Sequence, residues 1–314
     1  MLASPALAQT THYVAVHGQC GELSPCHSTV VAGVAAAMAD DTVAVFPGIY
    51  DEAVTLSDKA GIELKTHAPD KIGARVCKAI PDAKRATLTR PLALGGGNAG
   101  ARITGLALPA GVQVTGPASS LKITGNTIGG LFIANCVGAT LRHNVFSDDV
   151  RLNTSAGCVF EDNAFNGADF TLDPAGIATE TIVRDNVFSA GELSFVAEDT
   201  RDNVVMGNRI DGGGLTLGGR DAERNLIEQN AISGGGSLRL TASGGFENRV
   251  LRNQVAGSTA TGLFVEIRVA GGNEISGNTV LGSTGCDIED TSHPDVDNTW
   301  TDNEFGTACG EADG

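Results

Sequence analysis

The stretch that decides the fold runs from Asn203 to Ser233, NVVMGNRIDGGGLTLGGRDAERNLIEQNAIS. It holds two copies of the pattern Asn-x-[Val/Ile]-x-x-Asn-x-Ile, in which Asn208 and Asn230 occupy equivalent places 22 residues apart. A repeat of this length is typical of solenoid proteins, because so small a unit cannot bury its apolar face alone and becomes stable by stacking on its neighbours. The sequence therefore predicts a stack of short, similar coils.

The pattern covers the chain from residue 101 onward. In each copy an apolar residue precedes the Asn by three positions and another follows it by two. A side-chain amide both donates and accepts, so an Asn at the same place in successive coils predicts a ladder of hydrogen bonds along the stack. The predicted ladder comprises Asn126, Asn144, Asn163, Asn186, Asn208, Asn230, Asn253, Asn278 and Asn303. A second row, five positions earlier, comprises Asn203, Asn225, Asn248, Asn273 and Asn298.

The two apolar positions of each copy are five residues apart, as are Val205 and Ile210. Because side chains alternate between the faces of a strand, an odd separation would place them on opposite faces. A bend at the Asn, a residue that tolerates the left-handed conformation, returns both to the interior. A second, shorter strand is predicted after the bend in every coil but the last, as at Leu215 and Leu217.

The N-terminal part predicts a short helix ahead of the coils. Ser28 or Thr29 is the expected N-cap, and Val30, Val34 and Met38 form one apolar stripe at helical spacing. A single stripe indicates a helix that lies across the open end of the stack.

Two segments carry a resemblance to a known superfamily. They are CHSTVVAGVAAAM at residues 26–38 and DTVAVFPGIYDEAVTL at residues 41–56. Together they resemble the opening of the extracellular right-handed parallel β-helix proteins, among them pectin methylesterases and pectate-lyase-like proteins. In that superfamily a helix caps the solenoid and a pGxYxExv strand pair begins the coils. The resemblance implies an all-β fold, a right-handed parallel β-helix with a short N-terminal capping helix, and it identifies architecture rather than one activity.

The chain is expected to divide into four segments. Residues 1–8, with the small-x-small pattern Ala6-Leu7-Ala8, are taken as the remnant of a signal peptide. The others are a cap and first coil at 9–56, irregular early coils at 57–100 with strands near 62–64, 74–80 and 92–94, and regular coils at 101–314. The early coils include the basic segment Lys65 to Arg90, in which seven basic residues against two acidic ones give +5. Its role is left open.

Export would permit disulfides, and the chain has seven Cys. Two pairs are separated by one repeat length, 23 and 22 residues, so neighbouring coils would bring their members together. The disulfide candidates are Cys286 and Cys309, Cys136 and Cys158, and then Cys20 and Cys26 from the remaining three, which include Cys77 and leave one thiol over. No C-x-x-C occurs, which argues against zinc. The expected location is secreted or periplasmic.

Charge and hydropathy exclude several classes of partner. Lys plus Arg is 21 against 37 Asp plus Glu, a net charge of −16 that disfavours nucleic acid and anionic membranes. No apolar run approaches the ~20 residues of a membrane span. Only 4% of residues are aromatic, and Phe132 and Phe264 are the ones expected to face outward, whereas Trp300 is expected to face inward.

Candidate chemistry lies on outward columns, because inward positions fill the core. Ionisable residues concentrate just before the turn Asn on coils 2 to 4, the coils that carry Asn144, Asn163 and Asn186. The catalytic candidates are Arg142, Glu161, Asp162, Arg184 and Asp185. The ligand-binding candidates are Arg142, His143, Arg151 and Asp173, and the second strand of the same coils adds Asp148, Asp149 and Asp169.

These charges allow two interpretations. Opposite charges on adjacent strands fix the register of the coils and contribute about 0.2–1 kcal/mol per pair. Alternatively, carboxylates hold Ca²⁺ and an Arg acts as the base of β-elimination, as the resemblance implies for lyases. The characteristic motifs of polygalacturonases, pectin methylesterases and alginate epimerases are absent, and His293-Pro294-Asp295 only approaches the last of them, in the wrong order.

The sequence therefore favours an exported β-helix that presents one face to an extracellular polysaccharide or protein partner, without catalysis and without a cofactor. One alternative is a divergent Ca²⁺-dependent polysaccharide lyase or glycoside hydrolase at coils 2 to 4. Another is an envelope or filament subunit, because open solenoid ends can stack on one another. The oligomeric state is left open.

Overall fold

The computed structural model describes residues 8–67, 84–269 and 271–310. Within these ranges the chain forms a parallel β-solenoid of about 11 turns with very little helix. Its described strands make three sheets of 14, 12 and 12 strands, in which neighbours along each sheet come from successive turns. The predicted all-β parallel β-helix is confirmed.

The three sheets run the length of the stack. Sheet 1 consists of Thr11–Val14, Cys26–His27, Thr42–Val45, Glu63–Thr66, Arg102–Thr104, Lys122–Thr124, Thr140–Arg142, Val159–Glu161, Ile182–Arg184, Val204–Met206, Leu226–Glu228, Arg249–Leu251, Asn273–Ser276 and Asn298–Thr301. Sheet 2 consists of Gly48–Tyr50, Ala86–Leu88, Ala107–Leu108, Thr127–Ile128, Val145–Phe146, Ala164–Asn166, Val187–Ser189, Arg209–Asp211, Ala231–Ser233, Gln254–Ala256, Thr279–Leu281 and Glu304–Phe305. Sheet 3 consists of Val54–Leu56, Leu92–Leu94, Val112–Ser119, Leu131–Val137, Val150–Ala156, Phe170–Thr179, Leu193–Arg201, Leu215–Glu223, Leu238–Phe246, Leu263–Val269, Ile288–Asp290 and Ala308–Gly310.

Each regular coil thus contains three strands, and the prediction of a shorter second strand is wrong. The residue two positions after the Asn lies on a short strand of its own in sheet 2, and a further turn leads to sheet 3. From Val112–Ser119 to Leu263–Val269 the sheet 3 strand is the longest of its coil, with nine residues in Leu215–Glu223. The last coil also has a strand in this sheet, Ala308–Gly310. The intervening turn is supplied by glycines such as Gly212, whose φ is 83°.

The core is the continuous interior of the stack. Both apolar positions that flank the turn Asn are buried in the coils of Asn126 to Asn278, as Val205 and Ile210 are, whereas in the last coil Phe305 is 39% exposed. Aromatic rings of adjacent coils stack in the same way, with Phe165 and Phe188 centroids 4.2 Å apart. Trp300, near the C-terminal end, is partly buried and packs against this core.

The bend between sheets 1 and 2 lies one residue earlier than predicted. The residue before the Asn takes the left-handed conformation, with φ of 55° at His143, 56° at Gln229 and 66° at Gly207. The Asn that follows is therefore free to turn its side chain into the corner, where Asn208 is 1% exposed. The prediction that the Asn itself supplies the left-handed bend is wrong, although its inward result is right.

The turn Asn residues form the predicted ladder. The Asn208 side-chain oxygen accepts from the backbone N–H and the amide of Asn186, at 3.1 and 3.0 Å. The Asn208 amide in turn donates to Asn230 at 2.9 Å and to the carbonyl of Val183 at 2.9 Å. The same bonds recur from Asn126 through to Asn303. Buried amides are thereby paired, which avoids the penalty of an unmade hydrogen bond.

The second Asn row is also a ladder, and its upstream end is made of other residues. Asn203 pairs with Asn225 at 2.9 Å, and the backbone N–H of Thr181 donates to Asn203. The Thr181 hydroxyl lies 2.6 Å from that of Ser155, which is fully buried. One coil earlier the equivalent position is Cys158, so a disulfide stands where the row of hydrogen bonds begins.

The N-terminal cap is a helix, Val30–Ala36, that packs against the first strands. The Thr29 hydroxyl accepts from the N–H of Ala32 at 3.1 Å, as an N-cap does. Both oxygens of Glu52 accept from the next free N–H groups, those of Val30 and Val31, each at 3.0 Å. The Glu of the pGxYxExv motif therefore joins the cap to the first coil. Met38 lies beyond the helix and is 66% exposed, so its place in the apolar stripe was wrongly predicted.

The structure forms all three predicted disulfides. They are Cys20–Cys26, Cys136–Cys158 and Cys286–Cys309, with Cα atoms 5.9, 6.3 and 6.1 Å apart. Of the early strands, Leu92–Leu94 is found as predicted and the first begins one residue later, as Glu63–Thr66. The strand predicted at 74–80, Cys77, most of the basic segment and most of the signal-peptide remnant lie outside the described residues.

A substitution within the ladder tests this account of stability. Replacing Asn208 with Ala leaves donors of Asn186 and the carbonyl of Val183 buried without partners, at about 1–3 kcal/mol for each such group. We expect Asn208→Ala to lower the melting temperature clearly more than Asn303→Ala, at the less buried end of the same ladder. Thermal unfolding followed by circular dichroism measures both. Equal melting temperatures for the two variants and the wild type would contradict the structural role of the ladder.

Candidate functional site

The structure separates the predicted site residues into two groups on different sheets. Arg142, Glu161 and Arg184 pair in one outward column of sheet 1. Arg151 and Asp173 lie on sheet 3. The ligand-binding set that combined Arg142 and His143 with these two is therefore not one site, because the coil has three sheets and the short strand of sheet 2 stands between the two groups.

The sheet 1 group is a charge ladder. One carboxylate oxygen of Glu161 lies 2.7 Å from a guanidinium nitrogen of Arg142, and the other lies 2.9 Å from a guanidinium nitrogen of Arg184. Its side chain is only 11% exposed, whereas both arginines remain about 40% exposed. A carboxylate held between cations from the coils before and after it fixes the register of three coils.

The charge state of Glu161 follows from these contacts. Burial acts to raise the pKa of Glu161, but the hydrogen bonds and charges of Arg142 and Arg184 outweigh it and hold the pKa below its usual value. The group is therefore ionised at neutral pH. It can neither donate a proton as a general acid nor bind a ligand without losing an arginine.

His143, Asp162 and Asp185 share one position in the bend of their coils. All three are the left-handed residues before the turn Asn, with φ of 55°, 53° and 56°. Short polar residues tolerate this conformation better than most, and glycines such as Gly125 take the same position in other coils. Their ionisable side chains are thus explained by the bend. His143 and Asp162 approach each other at 3.9 Å along the exposed corner.

The sheet 3 group lines a groove of about 530 Å³. One wall is an insertion in the strand Phe170–Thr179, whose pairing with both neighbouring strands skips the residues between Leu172 and Ile177. The Asp173 side chain accepts from the N–H of Ala175 at 3.0 Å and so stabilises the turn of the insertion. Gly176 has no side chain because a Cβ there would lie 1.8 Å from the carbonyl oxygen of Asn153.

The floor of the groove combines an aromatic ring with a row of polar side chains. Phe132 is 38% exposed at one end, and Thr171 and Ser194 follow on adjacent strands. Arg151 binds the carboxylate of Asp149 at 2.7 Å. This hydrogen bond lowers the pKa of Asp149 below its usual value against the opposing effect of burial, so the groove presents a fixed ion pair.

Two aspartates beside the groove accept hydrogen bonds from backbone N–H groups. Asp149 accepts from the N–H of Asp169 at 3.3 Å, and Asp169 accepts from the N–H of Glu192 at 2.8 Å. The remaining oxygens and Arg151 are suited to bonding hydroxyl groups of a ligand.

The sequence contains a signal for this groove in Pro174 and Gly176, two turn formers within a segment that pairs as a strand at both of its ends. The interval between Asn163 and Asn186, 23 residues, is close to the intervals of the later coils and gives no such signal. Turn formers inside a strand pattern indicate a segment that leaves the regular strand. It marks the wall of the groove.

Two further findings concern the described residues. No group of three or more His, Cys, Asp or Glu side chains comes together there in an arrangement for a metal ion, so the proposed Ca²⁺ ligands do not form a cluster. No helix within the same ranges is long and apolar enough to span a membrane.

Residues 178–308, less than half of the chain, match the model of the family described as NosD, periplasmic copper-binding protein. No curated protein sequence matches this chain. The matched segment falls on the most regular coils, which contain both Asn ladders from Asn186 and Asn203 onward. The periplasmic description of that family agrees with the expected export.

The nitrogen and sulfur donors of the chain decide whether it fits the copper-binding description. Within the matched segment the nitrogen and sulfur donors are His293, Met206 and Cys286, and Cys286 is in a disulfide. Outside it, the ring nitrogens of His12 and His27 lie 3.2 Å apart and bond to each other. Copper prefers several imidazole or sulfur ligands. The described residues do not fit a copper centre.

Two solved structures share the fold. A mannuronic acid specific polysaccharide family 6 lyase from human gut microbiota superposes with a TM-score of 0.61 at 13% identity, over 96% of this chain and 84% of that one. The catalytic unit of a thermostable GH87 α-1,3-glucanase from Streptomyces thermodiastaticus strain HF3-3 gives 0.56 at 14%, over 96% and 70%. At these identities the likeness shows the fold alone, a parallel β-helix.

Glu161 gives a test with a defined pH dependence. Because its folded pKa is depressed, its contribution to stability is present above the usual glutamate pKa of about 4.3 and is lost as the pH falls through the folded value. We expect Glu161→Gln to cost about 1–3 kcal/mol near pH 7, as for hydrogen bonds to charged groups. The difference from wild type should shrink in acid.

The matched control is Glu228→Gln, in the same column, where the carboxylate contacts Arg252. Melting temperatures of the three proteins from neutral to acid pH provide the measurement. A Glu161→Gln deficit that does not change with pH would refute the ladder.

Proposed function

We propose that this chain is an exported, non-catalytic carbohydrate-binding protein that holds a polysaccharide in the sheet 3 groove. The single observation that carries the proposal is the interruption within Phe170–Thr179, where residues 173–176 leave the pairing with both neighbouring strands and build a wall beside the sheet. Stacking of the coils requires neither this wall nor Gly176, the glycine that allows the wall to lie close to the neighbouring strand.

The lining of the groove supports a sugar as the ligand. A pyranose ring has apolar C–H faces and a rim of hydroxyls, and the groove offers the half-exposed ring of Phe132 beside the hydroxyls of Thr171 and Ser194. The guanidinium of Arg151 is 67% exposed and presents several donors from a position fixed by Asp149. Ligand sites combine apolar contact with a few placed polar groups in this way.

The state of the carboxylates supports binding rather than catalysis. A general acid needs a carboxyl group with a raised pKa. The pKa of Asp149 is lowered by Arg151, and that of Glu161 is lowered on balance by its two arginines. The sheet 1 candidates are engaged in fixing the register of the coils.

The second candidate is a polysaccharide lyase or hydrolase that acts in the same groove. The fold likeness to a polysaccharide lyase and to a glucanase favours it, at the level of architecture. Such an enzyme would use Asp149, Asp169 or Asp173, which are the acidic residues of the lining.

Export is part of the proposal. Three disulfides join residues of the described chain, and disulfides persist in oxidising compartments. The description of the matching family as periplasmic supports the same location. The net charge of −16 directs the protein away from anionic surfaces and toward uncharged partners.

Binding measurements test the proposal. Glucan, mannan, galactan, alginate and polygalacturonate are each titrated into the protein by calorimetry. We expect one or more to bind, and Phe132→Ala and Arg151→Ala to weaken that affinity about tenfold or more, as central contact residues do. Arg184→Ala, on sheet 1, is the matched control and should bind as the wild type does.

Product analysis accompanies the titrations. We expect no unsaturated sugar and no new reducing ends from any polymer. Products that disappear in Asp149→Asn or Asp169→Asn would establish the enzymatic candidate instead. A failure of the whole panel to bind, or equal binding by all variants, would refute the groove as the site.

A further inference from the structure

The groove is one part of a longer outward column that crosses the face of sheet 3. Pairing partners in successive strands define this column without a gap over seven coils. Phe132 and Phe264 are the two aromatic residues of this column, which continues to Gln113 before Phe132 and to Glu289 after Phe264. Arg151 and Arg239 lie next to the aromatic residues, and three hydroxyl residues, Thr171, Ser194 and Thr216, lie between the two arginines.

This column differs from the outward column of sheet 1. There, charges of opposite sign alternate and neutralise each other, as Arg142, Glu161 and Arg184 do. On sheet 3 the two arginines are separated by three hydroxyl side chains, and the structure gives no ion pair between members of the column. A column that only fixed the register of the coils would not need this arrangement.

Both arginines are held in place by neighbours. Arg151 binds Asp149 at 2.7 Å, and the guanidinium of Arg239 lies 4.9 Å from the centre of the Phe264 ring. A cation over an aromatic face is attracted to it, which reduces the freedom of a long side chain. Groups already ordered lose less entropy when they bind, so both arginines are prepared for a ligand.

The separation of the two aromatic residues sets the length of a ligand that contacts both. Six steps between strands at about 4.8 Å each place Phe132 and Phe264 about 29 Å apart. Since successive strands stack along the solenoid, the column runs parallel to its long axis. A ligand that contacts both aromatic residues is therefore an extended chain of several sugar units that lies along the axis.

The charges around the column set the class of sugar. Asp169, Asp173 and Glu192 lie beside its groove half without an ion-pair partner among the described residues. Arg151 is already neutralised by Asp149, and Arg239 is the remaining cation of the column. Carboxylates on a ligand would meet this acidic border and a chain of net charge −16. Hydroxyl groups would instead donate hydrogen bonds to the same oxygens.

We propose that the sheet 3 face binds an uncharged polysaccharide chain along the solenoid axis, with a second contact site at Arg239 and Phe264, far from the groove. This inference rests on the proposed carbohydrate-binding function and adds to it the charge, length and direction of the ligand. The structure needs no movement to form the site, because every member of the column is already on one face.

Calorimetry with oligosaccharides of defined length tests it. The probes are disaccharides and hexasaccharides of glucose, mannose and galactose, and hexasaccharides of mannuronate and galacturonate. We expect neutral hexasaccharides to bind more tightly than disaccharides, and the uronates not to bind. Phe264→Ala and Arg239→Ala should each weaken hexasaccharide binding about tenfold and leave any disaccharide binding in the groove unchanged. Phe305→Ala, an exposed aromatic residue on sheet 2, is the control.

The outcomes separate this inference from the function on which it rests. Uronate binding that Phe132→Ala weakens would leave the groove as a carbohydrate site and overturn the neutral ligand. Neutral binding that neither Phe264→Ala nor Arg239→Ala affects would overturn the second contact site. No binding by any probe would refute both proposals. Melting temperatures of the variants show that each is folded.

Discussion

The buried Asn at the corner between sheets 1 and 2 is the interaction on which the rest of the structure depends. A left-handed residue turns the chain, and the Asn that follows fills the corner and bonds to the coil on either side. Because this amide satisfies backbone groups as well as its neighbours, the corner can be buried without unpaired donors. The geometry repeats without change from Asn126 to Asn303, which keeps Val205, Ile210 and their equivalents in register within the core.

A fixed interior confines function to the outside. Once the inward columns are filled, an outward residue either stabilises the stack or meets a ligand, and the partners of each column distinguish these roles. Glu161, enclosed by Arg142 and Arg184, belongs to the first kind. We propose that the sheet 3 column belongs to the second, since its hydroxyl residues form no charge ladder and the insertion at Asp173 to Gly176 shelters one half of it.

The features that recur in every coil could be predicted from the sequence, whereas the features of a single coil could not. The Asn rows, the inward columns, the disulfides and the helical cap follow from spacing or from the resemblance, and each has its place in the structure. Spacing within one coil does not show how many sheets the coil crosses, so Arg142 and Arg151 were placed together although they lie on sheets 1 and 3. His143 and Asp185 were taken for chemistry because their charge was visible and their positive φ was not. The sequence placed the candidate chemistry on coils 2 to 4, whereas the column proposed here continues on sheet 3 through Thr216 to Phe264.

The similarity to the periplasmic copper-binding family also reflects features that recur in every coil. The match covers residues 178–308, where the two Asn ladders run side by side and the coils are most regular. A pattern of buried Asn and apolar residues every 22 to 25 positions is what any stack of this geometry requires. It conveys the fold, and His293 is the only imidazole in that segment. Phe132, Arg151 and the wall at residues 173–176 lie before the matched segment, whereas Arg239 and Phe264 lie within it, so the proposed binding face draws on residues from both parts of the chain.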